Sequence, residues 1–501
     1  MRPLGVIVCL LAPSAARAQL PPVGVPPGVA RVELDGAFDI WDDRFVDGTR
    51  EPLSAGLVTS SLGATLLASL AGAEARIRGI TGITDYRISL GEVGADVLAE
   101  RGTAMFGLSL GLTRSLTVFG RIPLVRARVQ QTVAVDPTGA NVGPAPEVAG
   151  QDPFFQQFDD ALSTLAAQLA AGAYDADPAQ RALAQSTLDA GGTLRSELFL
   201  LLADAETASP FVPTASSEAG AAIVGRIGAL QTTLATSLGV PGFSAAPSLP
   251  AAVVAESDLE SFIGDPGGPV GLQLEGSIVT FRGDAEGGVS YTLADRWDRG
   301  TSRGGLRAAV EGLVRFPTGV VARTDRTFAL GTGDGQTDVE LRGTVDLGSG
   351  PWGARFEAGY NRQFAANYLE SLAPPVFTIV RRDPGDVVTL AVRPFFRIAR
   401  TFALIGALEH QSRGRDDVTY ASDAGAIPGV DPDLLAEGTD ARATLLALGV
   451  TYANPGALRP GGRGLPVDAG WSYERVLIAG GGVVADVHRV RARFRVYIGV
   501  F

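Results

Sequence analysis

No lysine occurs in this chain; all 42 of its basic residues are arginine. Uniform use of one basic residue follows the codon bias of a GC-rich genome. Arginine identity alone is therefore uninformative here, whereas its placement can inform. The absence does exclude one chemistry. Gly331-Thr332-Gly333-Asp334-Gly335 is glycine-rich, but without a lysine and a following helix it cannot cradle phosphate. Cysteine is as scarce: Cys9 is the only one. It falls within an export signal, so the mature chain is expected to have none, which excludes disulfides and cysteine-based metal sites. Histidine occurs twice, as His410 and His488, and no metal site or cofactor is expected. No apolar run reaches the 18 residues of a membrane helix. Basic excess is lacking too: the net charge of −12 argues against nucleic acid as a partner.

What is present begins with residues 1–18. Arg2 gives a positive start, Val6 to Leu11 an apolar run, and Ala16-Arg17-Ala18 a cleavage site before Gln19. Cys9 lacks the Leu-Ala-Gly context of a lipoprotein signal, so no lipid anchor is expected. Residues 19–140 read as a proline-rich leader and the first strands. Residues 52–81 look like helix or packed loop, and 86–98 is open between strand and inner plug. Residues 141–272 read as a mostly helical insertion in one loop, with apolar residues at helical spacing (Phe155, Phe158, Leu162, Leu165, Leu169) and proline-rich flanks. Residues 273–501 carry the remaining strands.

The last stretch, HRVRARFRVYIGVF, sets the pattern. Arg489, Arg491, Arg493 and Arg495 share one face of a strand, and Val490, Phe494, Val496 and Ile498 the other. The division recurs in segment after segment. Val339, Leu341, Val345 and Leu347 oppose Asp338, Glu340, Arg342 and Asp346; Glu311 and Arg315 lie opposite Val310 and Val314; Glu357 lies opposite Phe356. Short and long joints alternate along the chain. Residues 113–115 make one tight turn between two strands of about 10 residues.

Such alternation fits a soluble sandwich as well as a membrane barrel. Strand length near 9–11 residues favours the barrel. So do aromatics at strand ends, with Trp352, Tyr360, Phe316, Tyr452, Trp471 and Tyr497 expected in interface girdles. The fold expected is all-β: an antiparallel transmembrane β-barrel of about 12 strands (range 10–14), apolar outside and charged inside. Mixed signs on the inward faces suggest a partly filled, narrow interior.

Three stretches then resemble a known family. Residues 107–125 (GLSLGLTRSLTVFGRIPLV), 316–319 (FPTG) and 329–341 (ALGTGDGQTDVEL) resemble outer-membrane proteins associated with the meta-pathway of phenol degradation. That family is similar to the fatty-acid and aromatic-hydrocarbon transporters. The terminal Phe501 resembles the signal read by the barrel-assembly machinery, although its odd number departs from the even-numbered lipid face. The resemblance implies a Gram-negative-type outer-membrane barrel in contact with lipid, taking up small apolar molecules.

Other chemistry is open to these residues. His410-Gln411-Ser412 puts an imidazole and a hydroxyl two apart on one strand face, and resembles the H-x-S arrangement of outer-membrane phospholipase A and lipid A deacylase. Ser412 as nucleophile and His410 as base still need an orienting third group. Asp416, Asp417 and Asp423 are off the families' spacing, and Arg413 stands where the phospholipase pattern has Asn. Asp42, Asp43 and Asp47 near Gly48 read as an acidic turn, not an EF-hand loop. Three functions are therefore carried forward: a channel or transporter for small apolar or amphipathic solutes, a lipid hydrolase, and a structural or adhesive barrel that binds a partner through its insertion.

Overall fold

The structure, a computed structural model, describes residues 24–65, 67–264, 276–298, 304–322, 328–373, 376–399, 401–454 and 465–500. The expected export signal and Phe501 lie outside them. Two compact units are formed. One comprises Leu57–Ala95 and Val133–Leu272; the other takes the rest of the chain.

The second unit is a ring of twelve strands: β1 (Val29–Trp41), β2 (Glu92–Gly111), β3 (Leu116–Asp136), β4 (Ala285–Asp298), β5 (Gly304–Phe316), β6 (Asp338–Ser349), β7 (Trp352–Gln363), β8 (Val387–Arg397), β9 (Phe402–Arg413), β10 (Ala441–Ala453), β11 (Val467–Gly480) and β12 (His488–Gly499). Each pairs with the next in chain order, and β12 returns to β1 from Val29↔Gly499 to Ile40↔His488. Closure leaves no strand edge, so every ring strand finds backbone partners on both sides. A further strand, Ser277–Arg282, pairs with Leu124 to Val129 of β3, while β4 takes Leu116 to Arg121. The segment open between strand and plug becomes strand only from Glu92.

Alternation in the sequence becomes alternation of exposure. Val490, Phe494 and Ile498 are 40–50% exposed, whereas Arg489, Arg491, Arg493 and Arg495 are at most 5% exposed. The same holds on β6, where Leu341 and Leu347 are exposed and Asp338 and Asp346 buried. Trp352, Tyr360, Phe316 and Trp471 lie exposed on the apolar face. Tyr497 does not, and corrects the expected girdle. Its odd position turns it inward with the arginines, where its hydroxyl donates to Asp468 Oδ2 at 2.5 Å.

Turn chemistry explains the joints. Thr113 Oγ1 accepts from the amides of Ser115 (3.2 Å) and Leu116 (3.0 Å), closing the β2–β3 turn. The acidic turn after β1 is a small hairpin, Asp43–Val46 against Thr49–Pro52. Its two central residues, Asp47 and Gly48, have φ of 50° and 86°, the Asp-Gly pair that a tight hairpin favours.

In the helical unit lie α1 (Ala71–Thr81), α2 (Asp152–Ala170), α3 (Pro178–Leu202), α4 (Glu218–Thr232) and α5 (Glu256–Gly264). Asp177 caps α3 through the amides of Ala179 and Gln180, with Pro178 in the first turn, and Ser217 caps α4 through Gly220. The apolar stripe of α2 buries Phe154, Phe158 and Leu165; Phe155 meets Phe199 of α3 edge-on at 5.5 Å, and Phe243 stacks on Phe158 at 4.7 Å. Among the described residues no helix is long and apolar enough to cross a membrane, which says nothing of strands.

Candidate functional site

The buried side of the ring is built from arginine–carboxylate pairs, and strand register determines which residues meet. Arg489 of β12 faces Asp39 of β1 and Glu474 of β11. Its Nε and Nη2 lie 2.6 and 2.8 Å from the two Asp39 oxygens, a bidentate fork, and Nη1 is 3.7 Å from Glu474. Three positions along, Arg495 lies 2.7 Å from Glu33 and 3.9 Å from Asp468. Between them Arg491 is flanked by Ala37 and Ser472, and its Nε is 3.9 Å from Glu474; Arg493 is flanked by Asp35 and Gly470, with Nε 3.9 Å from Asp468. Arg31 joins this end through Glu33 at 3.7 Å and the hydroxyl of Ser109 at 3.1 Å.

The other predicted positions enter further groups. Arg315 bridges Asp338 (2.7 Å) and Glu286 (3.2 Å), and Glu286 also meets Arg121 at 3.4 Å. Asp346 receives Arg355 at 2.6 and 3.0 Å and Arg307 at 3.0 Å. Arg393 connects Glu357 (3.0 Å) with Glu409 (2.6 Å). Arg342 pairs with Glu340 and stands opposite Glu311 in register. Taking two ions out of water is costly, and only good geometry with further hydrogen bonds offsets it. The Arg489–Asp39 and Arg355–Asp346 forks supply both, and carboxylates shared between two arginines add charge compensation elsewhere. With Arg31, Arg355 and Arg495 at most 2% exposed, these levels of the ring are filled by side chains.

Arg31, Arg121, Glu286, Asp468 and Glu474 are not singled out by the sequence, whereas Glu33, Asp39, Arg355, Arg393 and Glu409 read as charged-face residues of their strands without a partner. The signal was there, since each sits at the charged phase of an alternating strand. What alternation does not supply is the partner across the sheet.

A second construction lies outside the ring strands. The 316–319 and 329–341 stretches fold about Asp284, which is buried between Ser277–Arg282 and β4. Its Oδ1 accepts from the Gly319 amide (2.8 Å) and its Oδ2 from the Asp334 amide (3.0 Å). Thr318 Oγ1 accepts from the Ala285 amide and donates to the Gly283 carbonyl, at 2.9 and 2.7 Å. A Cβ on Gly333 would come within 2.4 Å of Asp284 Oδ1, so glycine is required by close approach. The glycine-rich loop thus wraps a carboxylate. Burial, then the charges of Asp338 and Asp284, push the Asp334 carboxyl up to about 7. Tyr368 closes the loop by donating to the Asp334 carbonyl at 2.7 Å.

His410 and Ser412 lie on the outward face of β9, as their parity requires. They do not form a dyad. His410 Nδ1 is 3.0 Å from Thr444 Oγ1, and among the described residues no hydrogen bond joins it to Ser412. Asp416, offered for the third role, is held by Arg413 at 2.8 Å and Arg382 at 2.9 Å. Of the acidic turn, Asp43 pairs with Arg50 at 2.8 Å. No cluster of three or more candidate metal ligands occurs among the described residues.

The chain is similar to solved outer-membrane barrels. An outer membrane channel from Pseudomonas putida F1 has 10% identity and a TM-score of 0.43, over 96% of this chain and all of that one. The transport unit of the autotransporter AIDA-I from Escherichia coli has 6% identity and a TM-score of 0.34, over 98% and 95%. The P. putida toluene transporter TodX has 9% identity and a TM-score of 0.27, over 95% and 91%. No family model and no curated protein matches. Identities under 25% and TM-scores under 0.5 leave the functional reading to the residues of this chain.

Proposed function

We propose that the chain is an outer-membrane channel or transporter of a Gram-negative-type envelope, passing small apolar or amphipathic solutes. The observation that carries this reading is the inversion of the ring: apolar side chains exposed on its outside, ion pairs buried within. In water such an exterior would be an aggregation surface far larger than a soluble monomer carries. In hydrocarbon it is the expected face, and a closed ring meets the demand that no backbone group go unsatisfied. The partners that follow are membrane lipid on the outside and the barrel-assembly machinery acting through β12.

The interior gives the solute class its limits. Arg489, Arg491, Arg493, Arg495, Asp338, Glu340, Arg342, Asp346, Glu311, Arg315 and Glu357 line the path as side chains that interlock. A wide water-filled pore is not the form supported; a narrow conduit whose pairs rearrange as a solute passes is. Reconstitution into planar bilayers and liposomes tests it. Small conductance and entry of small amphipathic solutes, with exclusion of large hydrophilic sugars, are expected. Inserted protein giving neither conductance nor flux removes the transport reading.

A further inference from the structure

On β9, β10 and β12 the outer face changes character toward the end where the long loops lie, whereas on β11 the apolar Leu477 and Ile478 follow Arg475. Along β9, Leu404 and Leu408 give way to His410 and Ser412. Along β10, Val450 and Leu448 give way to Thr444 and Arg442. Register places Ser412 opposite Arg442 and His410 opposite Thr444, the latter pair in hydrogen-bond contact at 3.0 Å. On the next two strands Arg475 stands opposite His488, whose Nδ1 is 2.6 Å from the Tyr473 hydroxyl.

Arg442 and Arg475 are exposed, and among the described residues neither has a carboxylate within ion-pair distance. Two other outer-face arginines are answered, Arg362 by Asp386 at 2.9 Å and Arg128 by Glu100 at 3.7 Å, whereas Arg126 and Arg296 are exposed with no carboxylate within ion-pair distance among the described residues. The acidic residue of this sector's outer face is Asp440, at the rim just before β10. Two unanswered guanidiniums at the border of a hydrocarbon-facing surface leave their charge to be met by something in the membrane. Guanidinium forks match phosphate oxygens two at a time, and basic sites at membrane borders take anionic headgroups. Arg442 pairs with Gly480 and Leu446 with Arg475, so the two arginines are offset by four residues, roughly 13 Å of strand. On strands tilted by roughly 40° most of that offset is depth, so the two guanidiniums present their forks at two levels of the headgroup layer. Below the polar strip, exposed Leu408, Leu448 and Val490 offer an acyl-chain surface.

We propose that this strip binds the phosphates of an anionic glycolipid in the leaflet at the long-loop end. Arg442 and Arg475 act as the phosphate forks, with His410, Thr444, Tyr473 and His488 as hydrogen-bonding neighbours. The proposal rests on the membrane reading above and gives His410-Gln411-Ser412 a role in lipid contact without lipid chemistry.

The test uses the full chain, first inserted into phosphatidylcholine vesicles and scored by protease resistance. It is then taken into nonionic detergent, where native mass spectrometry measures binding of diphosphoryl lipid A, of its dephosphorylated form, and of the diphosphoryl form against inorganic phosphate. Wild type is expected to bind diphosphoryl lipid A at least tenfold tighter than the dephosphorylated form, with affinity falling as salt rises. The R442Q/R475Q pair should lose at least tenfold, and R442K/R475K, which keeps the charge without the fork, should fall between that pair and wild type. Equal binding by the glutamine pair, equal binding of the dephosphorylated lipid, insensitivity to salt, or full displacement by millimolar inorganic phosphate overturns the proposal. If the glutamine pair does not insert, the salt titration and the dephosphorylated lipid on wild type decide. A wild-type chain that inserts but binds no lipid A overturns this inference alone; one that never inserts overturns the membrane reading as well.

Discussion

Asp334 shows what a single carboxyl does when a loop is folded tightly around its neighbours. In the unfolded chain it titrates in the ordinary carboxylate range, and in the folded loop near 7, chiefly through burial and then through Asp338 and Asp284. The folded form therefore holds a proton that the unfolded form has released over the window between. Stability from this group is full at low pH and is lost as pH rises through 7. Hydrogen–deuterium exchange of residues 328–337 is expected to slow severalfold on going from pH 8 to pH 5.5, after correction for intrinsic rates. Asp334→Asn should exchange slowly at both. Equal pH dependence in the two proteins removes Asp334 as its source. At this scale the sequence was legible in part. Glycine spacing and the missing lysine argue against a phosphate cradle. The carboxylate that the loop does wrap, Asp284, lies some 50 residues earlier, and only the tertiary fold brings it there.

At the scale of elements, parity within a strand was readable and pairing between strands was not. Every charged position named on β5, β6, β7 and β12 falls on the more buried side, because a period of two leaves no freedom once one face is apolar. Partners depend on register, and register is set by turns and bulges; shifts occur at Ala308/Ala309 against β4 and at Thr444/Leu445 against β11. Tyr497 was misplaced by reading residue type instead of parity. The Arg489–Asp39 fork makes the energetic consequence testable. Arg489→Met leaves a buried carboxylate with its main partner gone, at a cost of about 3–5 kcal/mol. Urea unfolding followed by gel mobility in detergent should show it. Adding Asp39→Leu should recover most of the loss, since replacing both partners by apolar groups removes the stranded charge. If the single change is silent, the fork contributes little to the fold.

For the whole molecule, the helical unit holds 19 acidic residues against 6 arginines, leaving 35 acidic residues and 36 arginines to the remainder. The net charge of −12 therefore belongs to the helices and their connections, and the ring unit is close to neutral, as paired interior ions require. Composition alone reported the sum and hid the division. The insertion could be read as helical from its 3.6-residue period, but the share of Leu57–Ala95 in the same unit could not, because its contacts with α3 and α4 are long-range. Since all twelve ring strands lie outside residues 151–262, a chain lacking that segment should still reach vesicles in protease-resistant form and keep its unfolding midpoint within a few degrees. Failure to assemble would make the helices part of the barrel's folding unit.

The junction of β12 with β1 ties the beginning of the described chain to its end. Glu33 and Asp39 are translated more than 400 residues before Arg495 and Arg489, so until the final segment is delivered, two acids wait unneutralised beside an open edge. A chain without β12 would leave Glu33 and Asp39 without these arginines and β1 without its backbone partner on that side. Electroneutrality at the seam thus doubles as a signal that the ring has closed.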